Sequence, residues 1–143
     1  MLFQRVNRTD AEKVFIIVQN VSAATVTAGY PVVWDITSSV DGVRVSKPAT
    51  ATLSLFVGLA NADISDSSYG LVQVYGYKSQ AYLTNTTNVA VAAGQALVGT
   101  NAQWYLSGTT TADGISGFVY AAEAFATATT PAAANKKVLI RAL

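Results

Sequence analysis

The side chains that perform most enzyme chemistry are scarce in this sequence, and two of the most useful types are missing. Its 143 residues contain no histidine and no cysteine. Without them no Ser–His or Cys–His dyad can form, and the commonest ligands for transition metals are absent. What remains for acid–base work is a set of carboxylates: Asp10, Glu12, Asp35, Asp41, Asp63, Asp66, Asp113 and Glu123. Two carboxylates can hydrolyse a glycoside, but Asp41 and Asp113 each precede a glycine, which is the signature of a turn. No Gly-rich loop ends in Gly-Lys-Ser/Thr, and no Gly-x-Gly-x-x-Gly opens a helix. The inventory points away from an enzyme; no catalytic residue and no cofactor is expected.

Two groupings still have the composition of a binding site. Asn61-Ala62-Asp63-Ile64-Ser65-Asp66 concentrates oxygen donors on one loop, and calcium takes six to eight such ligands. The loop lacks a full ligand set, and Asn, Asp and Ser are ordinary turn formers, so a structural turn is the favoured reading and no metal site is expected. The aromatics are the second grouping. Tyr69, Tyr75, Tyr77 and Tyr82 crowd one stretch, whereas Trp34, Trp104 and Tyr105 stand apart. Rings on strands can stack on bases or sugars. Only Lys78 accompanies the tyrosines, which favours a subunit interface for them and core packing for the tryptophans. The candidate interface is Tyr69, Gln73, Tyr75 and Tyr77.

Charge sets further limits. Charged residues make up 12% of the chain, about half the roughly 25% of an ordinary soluble domain. Ala, Thr, Ser, Val and Asn take their place, which suits a surface buried by association. Nine basic and eight acidic residues give a net charge of +1. That balance supplies no general attraction to nucleic acid or to an anionic membrane, and neither is an expected partner. The small basic groups Arg5/Arg8 and Lys136/Lys137/Arg141 read as solvated ends. The opening Met1–Arg5 lacks a signal-peptide apolar core, and no apolar run reaches membrane-spanning length. The sequons at Asn7, Asn20 and Asn85 then read as chance matches in a Thr-rich chain.

The elements that must carry these residues are strands. Apolar, β-branched runs alternate with Gly, Ser, Thr and Asp clusters, and no long helical period appears. Lys13–Val21 is a nearly continuous apolar run, as expected of a strand covered on both faces. Further strands are predicted at Pro31–Thr37, Val40–Val45 with an Asp41-Gly42 hairpin signal, Thr52–Leu59, Tyr69–Tyr77, Gln80–Thr84, Val89–Ala92, Gln103–Leu106, Gly117–Ala122 and Lys137–Ala142. Alternation places Val72 and Val74 toward the core and Gln73 and Tyr75 toward solvent or a partner. Gly29, Gly70, Gly76 and Gly94 are predicted structural turns, and Asp113-Gly114 another. The Ala-rich 121–134 stretch is interrupted by threonines and Pro131, which favours an extended connector over a helix. Thr9 to Glu12 has capping-box spacing, but the β-branched run after it excludes a long helix. The fold class is all-β, a small barrel or sandwich: an N-terminal arm at 1–12, then one domain at 13–143, with 127–137 a connector before the last strand.

One internal echo stands out. Val26-Thr27-Ala28-Gly29-Tyr30-Pro31-Val32-Val33 matches Val91-Ala92-Ala93-Gly94-Gln95-Ala96-Leu97-Val98 in pattern. Both read as a strand end followed by a tight glycine turn, as at two equivalent corners of one barrel. The echo is too short for a solenoid.

The stretch from Gly29 to Gly76 resembles the head decoration, or cement, proteins of tailed bacteriophages. The residues that carry the resemblance are Ala28-Gly29-Tyr30-Pro31-Val32, Asp41-Gly42-Val43, Lys47-Pro48-Ala49-Thr50-Ala51, Phe56-Val57-Gly58-Leu59-Ala60, Asp63-Ile64-Ser65-Asp66 and Tyr69-Gly70-Leu71-Val72-Gln73-Val74-Tyr75-Gly76. They cover about a third of the chain. The resemblance implies a small glycine-punctuated β-barrel that is made in the bacterial cytoplasm and sits on the capsid exterior. It implies the major capsid protein as partner and a homo-oligomer, with a trimer matching the three-fold positions of a lattice. The other class of function consistent with the aromatics is a glycan-binding β-module of a phage tail or fibre. An exposed Trp or Tyr beside the Asp63–Asp66 loop would favour it.

Overall fold

The structure, a computed structural model, describes residues 11–37, 40–85, 90–109, 118–126 and 132–142. Residues 1–10 of the expected 1–12 arm, the Asp113-Gly114 turn and the first part of the 127–137 connector lie outside these residues. The described chain is mostly β. Its strands are β1 (Lys13–Asn20), β2 (Pro31–Trp34), β3 (Arg44–Ser46), β4 (Phe56–Ala60), β5 (Tyr69–Thr84), β6 (Ala96–Gly99), β7 (Leu106–Gly108), β8 (Val119–Ala121) and β9 (Ala133–Arg141).

The pairings close two rings that share β5. In the first, β1 runs parallel to β3, β3 pairs with β2, β2 with β4, β4 with β5, and β5 returns to β1. In the second, the same steps run β5–β7 (parallel), β7–β6, β6–β8, β8–β9 and β9–β5. Residues 69–76 of β5 face β1, and residues 75–84 face β9. Each ring encloses its own core. Val18, Val32, Val45, Val57, Val72 and Val74 fill the first. Leu83, Leu97, Leu106, Val119, Val138 and Ile140 fill the second. Small rings of this kind have room for one layer of interior side chains per strand, so β-branched and leucine residues close them.

The echo in sequence is an echo in structure, at corners of two rings instead of one. Tyr30 N–H donates to the Thr27 carbonyl (3.0 Å) and Gln95 N–H to the Ala92 carbonyl (3.1 Å). Gly29 (φ +86°) and Gly94 (φ +83°) occupy the third position of these turns, as a type II turn requires. Val26 and Val91 each form an isolated antiparallel bridge, to Ile64 and Phe125 respectively. Register matches too: Val33 faces Ser46 as Val98 faces Ser107, and Val32 faces Gly58 as Leu97 faces Val119. Asn20 ends β1 and Asn85 directly follows β5, and both are buried. Their side-chain amides donate to the carbonyls of Ile64 (2.9 Å) and Ala126 (2.7 Å). Burial and these bonds remove both from the pool of glycan acceptors.

The barrels are joined by more than β5. Tyr82 N–H donates to the Gly29 carbonyl at 3.1 Å. The Tyr30 ring lies 5.3 Å from Tyr82 and is stacked on Trp104 at 5.5 Å, with Lys47 Nζ over the indole at 5.3 Å. Aromatic pairs at such separations stabilise beyond their buried area.

Several expectations are corrected. Thr52–Leu59 is not one strand: a 3-10 turn occupies Thr50–Leu55 and only Phe56–Ala60 joins the sheet. Thr52 Oγ1 donates to the Ala49 carbonyl and accepts from the Ala49 N–H, a local solution that competes with a ladder. Tyr69–Tyr77 and Gln80–Thr84 are one bulged strand. Of Val89–Ala92, the described part contributes only the Val91 bridge, and Ala96–Gly99, hidden by its small residues, is a strand. The last strand begins at Ala133, so 133–137 belongs to the sheet and not to a connector. Gly70 is no turn; it lies inside β5, where a Cβ would run into the Ile64 side chain.

Candidate interaction surface

Antiparallel pairing puts facing residues of β1 and β5 on the same side of the sheet. Ile17 faces Leu71, Gln19 faces Tyr69 and Phe15 faces Gln73. These are the outward positions of the first barrel, because Val18 and Val72 between them are buried. The result is an uncovered apolar strip: Ile17 is 67% exposed, Tyr69 65% and Leu71 45%, with Phe15 beside them. Tyr75 and Leu139 extend it onto β9, where Tyr75, Gly76, Tyr77, Leu139 and Ile140 line a shallow groove of about 330 Å³. Contiguous exposed apolar surface of this kind marks contact sites more often than chance.

The structure treats the four predicted interface residues differently. Tyr69 and Tyr75 are exposed on this face, and Tyr77 is half-buried along the groove. Gln73 is corrected: it is 1% exposed, and its Nε2 donates to the carbonyls of Tyr75 (3.1 Å) and Tyr77 (3.0 Å). Its outward position is real, but β5 bends at Gly76 (φ +98°), where a Cβ would strike the Glu12 carbonyl, and folds its own backbone over the amide. Gln73 therefore shapes the strand and is not free to meet a partner. Tyr82 leaves the tyrosine group for the junction. The missed residues are Phe15 and Ile17. Their run reads as covered on both faces, whereas only Val14, Ile16 and Val18 turn inward. The alternation was present in the letters, masked because both sets are apolar.

No protein-family model matches the chain, and no curated protein matches it. Among solved structures, it is similar to the head fiber gp8.5 N base of bacteriophage phi29. The identity is 17% and the TM-score 0.46, with 87% of this chain and 94% of that chain covered.

The oxygen-rich loop has structural uses. Asp63 Oδ1 accepts from the Ala28 N–H and Asp66 Oδ1 from the Ala23 N–H, both at 2.9 Å. Each carboxylate pins the loop to the arm carrying the first glycine turn. Asp41 does similar work, accepting from the N–H groups of Val43 and Arg44, and its carboxyl is held below the usual range chiefly by the Val43 N–H. Trp34 and Trp104 are partly buried against the first core.

A second concavity lies where the first glycine turn meets the bulge of β5. It is a partly open concavity of about 200 Å³, and its polar lining includes Lys13, Asn61, Gln73, Lys78, Ser79 and Gln80. Lys78 is only 8% exposed, and burial, followed by the nearby Lys13 charge, lowers its pKa from 10.5.

Proposed function

We propose that this chain is a non-enzymatic structural protein of a phage particle, bound to the capsid exterior through the β1–β5–β9 face and stabilising the lattice by contact area. The observation that carries the proposal is the apolar strip Phe15, Ile17, Tyr69 and Leu71, left open on an otherwise well-filled barrel. The motif resemblance to head decoration proteins supplies the partner class, the major capsid protein. Burial of such surface contributes roughly 25 cal/mol per Å² before association costs. Many copies bridging neighbouring subunits would raise particle stability by mass action. A homo-oligomer, a trimer on a three-fold position, satisfies the same surface.

The test is to add purified protein to particles lacking it and to image them by electron microscopy after sedimentation. Decoration by the wild type, lost in Ile17→Asp/Leu71→Asp, is the expected result. Failure of the wild type to decorate, or undiminished decoration by the variant, would sink the reading.

One observation favours a second reading. Tyr69 is exposed directly after the Asp63–Asp66 loop, the arrangement a glycan-binding module would use. A glycan array on which wild type binds and Tyr69→Ala does not would support this reading over the capsid one.

A further inference from the structure

The junction pocket brings together two lysines, Lys78 with its side chain largely buried and Lys13 exposed, and the polar side chains of Asn61, Ser79 and Gln80. Lys78 is more than nine-tenths buried and Lys13 lies close enough to disfavour its charge. The ion pairs among the described residues are Arg44–Asp41 and Lys137–Glu123, so neither pocket lysine is neutralised by a carboxylate. The lining contains no acidic side chain. Gln73 has committed its amide hydrogens to Tyr75 and Tyr77 and forms part of the wall. The Asn61 and Gln80 amides and the Ser79 hydroxyl make no side-chain hydrogen bond with another described residue. A largely buried ammonium is costly unless paired. Here one such lysine, Lys78, an exposed one, Lys13, and three neutral polar side chains line one small concavity.

We propose that this pocket binds a carboxylate, held between the Lys13 and Lys78 ammonium groups with the donors of Asn61, Ser79 and Gln80 around it. Its volume of about 200 Å³ has room for one such group with ordered water. A monoanion bridging two ammonium groups gains charge-assisted hydrogen bonds and removes their mutual repulsion. The pocket arises from the tandem arrangement, since the Gly29 turn of one barrel closes on the Gln80 region of the strand both barrels share. A Cβ at Gly29 would sit 2.8 Å from the Gln80 carbonyl, whereas at Gly94, the matching turn, it would meet nothing within 4 Å. Two sources could supply the carboxylate: a small dissolved anion, or an Asp or Glu side chain of a docking chain.

The experiment follows the lysine Cε signals by NMR in protein carrying ¹³C-lysine, titrated with sodium acetate at constant ionic strength. The expected result is saturable movement of the Lys13 and Lys78 signals, with Lys47, Lys136 and Lys137 unmoved, and a Lys78 titration midpoint that rises in acetate. Lys13→Gln, at an exposed site, should weaken acetate binding about tenfold, the loss of roughly one charged contact, without lowering the thermal melt. A neutral-flanked glutamyl peptide run in parallel distinguishes the sources. Tighter binding than acetate assigns the site to a partner's side chain, and equal binding to a free anion. Non-saturating movement of all five lysines together, tighter binding of inorganic phosphate than of acetate, or unchanged affinity in Lys13→Gln would overturn the proposal.

Discussion

The two barrels have the same strand order and matching registers but different outer faces. On the first, Ile17 faces Leu71 and Gln19 faces Tyr69; on the second, the corresponding pairs are Tyr82 with Asn135 and Thr84 with Ala133. Tyr82 is drawn into the junction by Tyr30, while Asn135 and Lys137 are exposed and polar. Among the described residues the second ring therefore closes without apolar side chains at these outward positions, its exposed Leu139 lying in the groove beside Tyr75. The strip on the first barrel is surplus to the fold, and that surplus is the physical argument for a partner.

The largest effects should come from the strand that the barrels share. Val74 and Val138 fill matching places in the two cores, each at most 2% exposed. An aspartate at either site buries an unpaired charge costing several kcal/mol, against a total stability of about 5–15 kcal/mol. Val74→Asp and Val138→Asp are each expected to unfold the whole chain, because losing either ring releases β5 from both. Circular dichroism with urea denaturation reads this directly. If Val138→Asp left the Val18–Val72 core intact, with its own unfolding transition, the rings would be independent and the coupling through β5 wrong.

The two glycine turns offer a smaller and sharper contrast. Both need a positive φ, so alanine at either costs about 1–2 kcal/mol. At Gly29 the new methyl also meets the Gln80 carbonyl, adding about 1–3 kcal/mol of overpacking. Gly29→Ala should therefore lower the urea midpoint clearly more than Gly94→Ala. Equal losses would mean that the junction yields to the methyl and does not hold the turn tightly.

How much of this was legible in the letters follows from what each signal depends on. Val72 and Val74 alternate with less apolar neighbours, so their inward direction could be read, and both glycine turns follow from a conformation that other residues resist. Phe15 and Ile17 could not be assigned to a face, because an all-apolar run carries no period-2 contrast. Gln73 misled for a different reason: its outward position follows from alternation, but its burial depends on the bend at Gly76, a tertiary event. Of the second ring, Val119–Ala121 falls within the predicted Gly117–Ala122, whereas Ala96–Gly99 was hidden and Leu106–Gly108 begins three residues after the predicted start, both being short. Such strands are defined by their partners, and their own propensity is weak.

On the apolar face, stability and association should separate. Ile17→Asp changes an exposed side chain, so stability should move by no more than about 0.5 kcal/mol while oligomer formation or particle binding is lost. Asn135→Asp, on the matching polar face, should change neither. Analytical ultracentrifugation alongside a urea melt separates the two outcomes. An Ile17→Asp variant that associates like wild type would remove the distinction between the faces.

The smallest expected effect concerns Lys13 and Lys78, which open the matching segments Lys13–Asn20 and Lys78–Asn85 yet differ in burial. Lys13 is exposed at the start of β1, whereas Lys78 lies mid-strand with the first barrel against it. The fold lowers the Lys78 pKa from 10.5, first through burial and then through Lys13, so the unfolded chain holds that proton more tightly than the native one. Unfolding consequently takes up a proton in the window between the lowered native value and 10.5, and within it stability rises with pH. Below the window both states are protonated and the cost of the buried charge is present in full; above 10.5 it is gone. The quantity to follow is the difference in urea midpoint between wild type and Lys78→Met, which cancels changes common to both. Lys78→Met keeps the apolar stem and removes the charge. Its advantage over wild type should be greatest near neutral pH and shrink as pH rises toward 10.5, with acetate narrowing it at the lower end by stabilising the charged wild-type pocket. A difference independent of pH would show that Lys78 reaches solvent freely and that its burial costs the fold nothing.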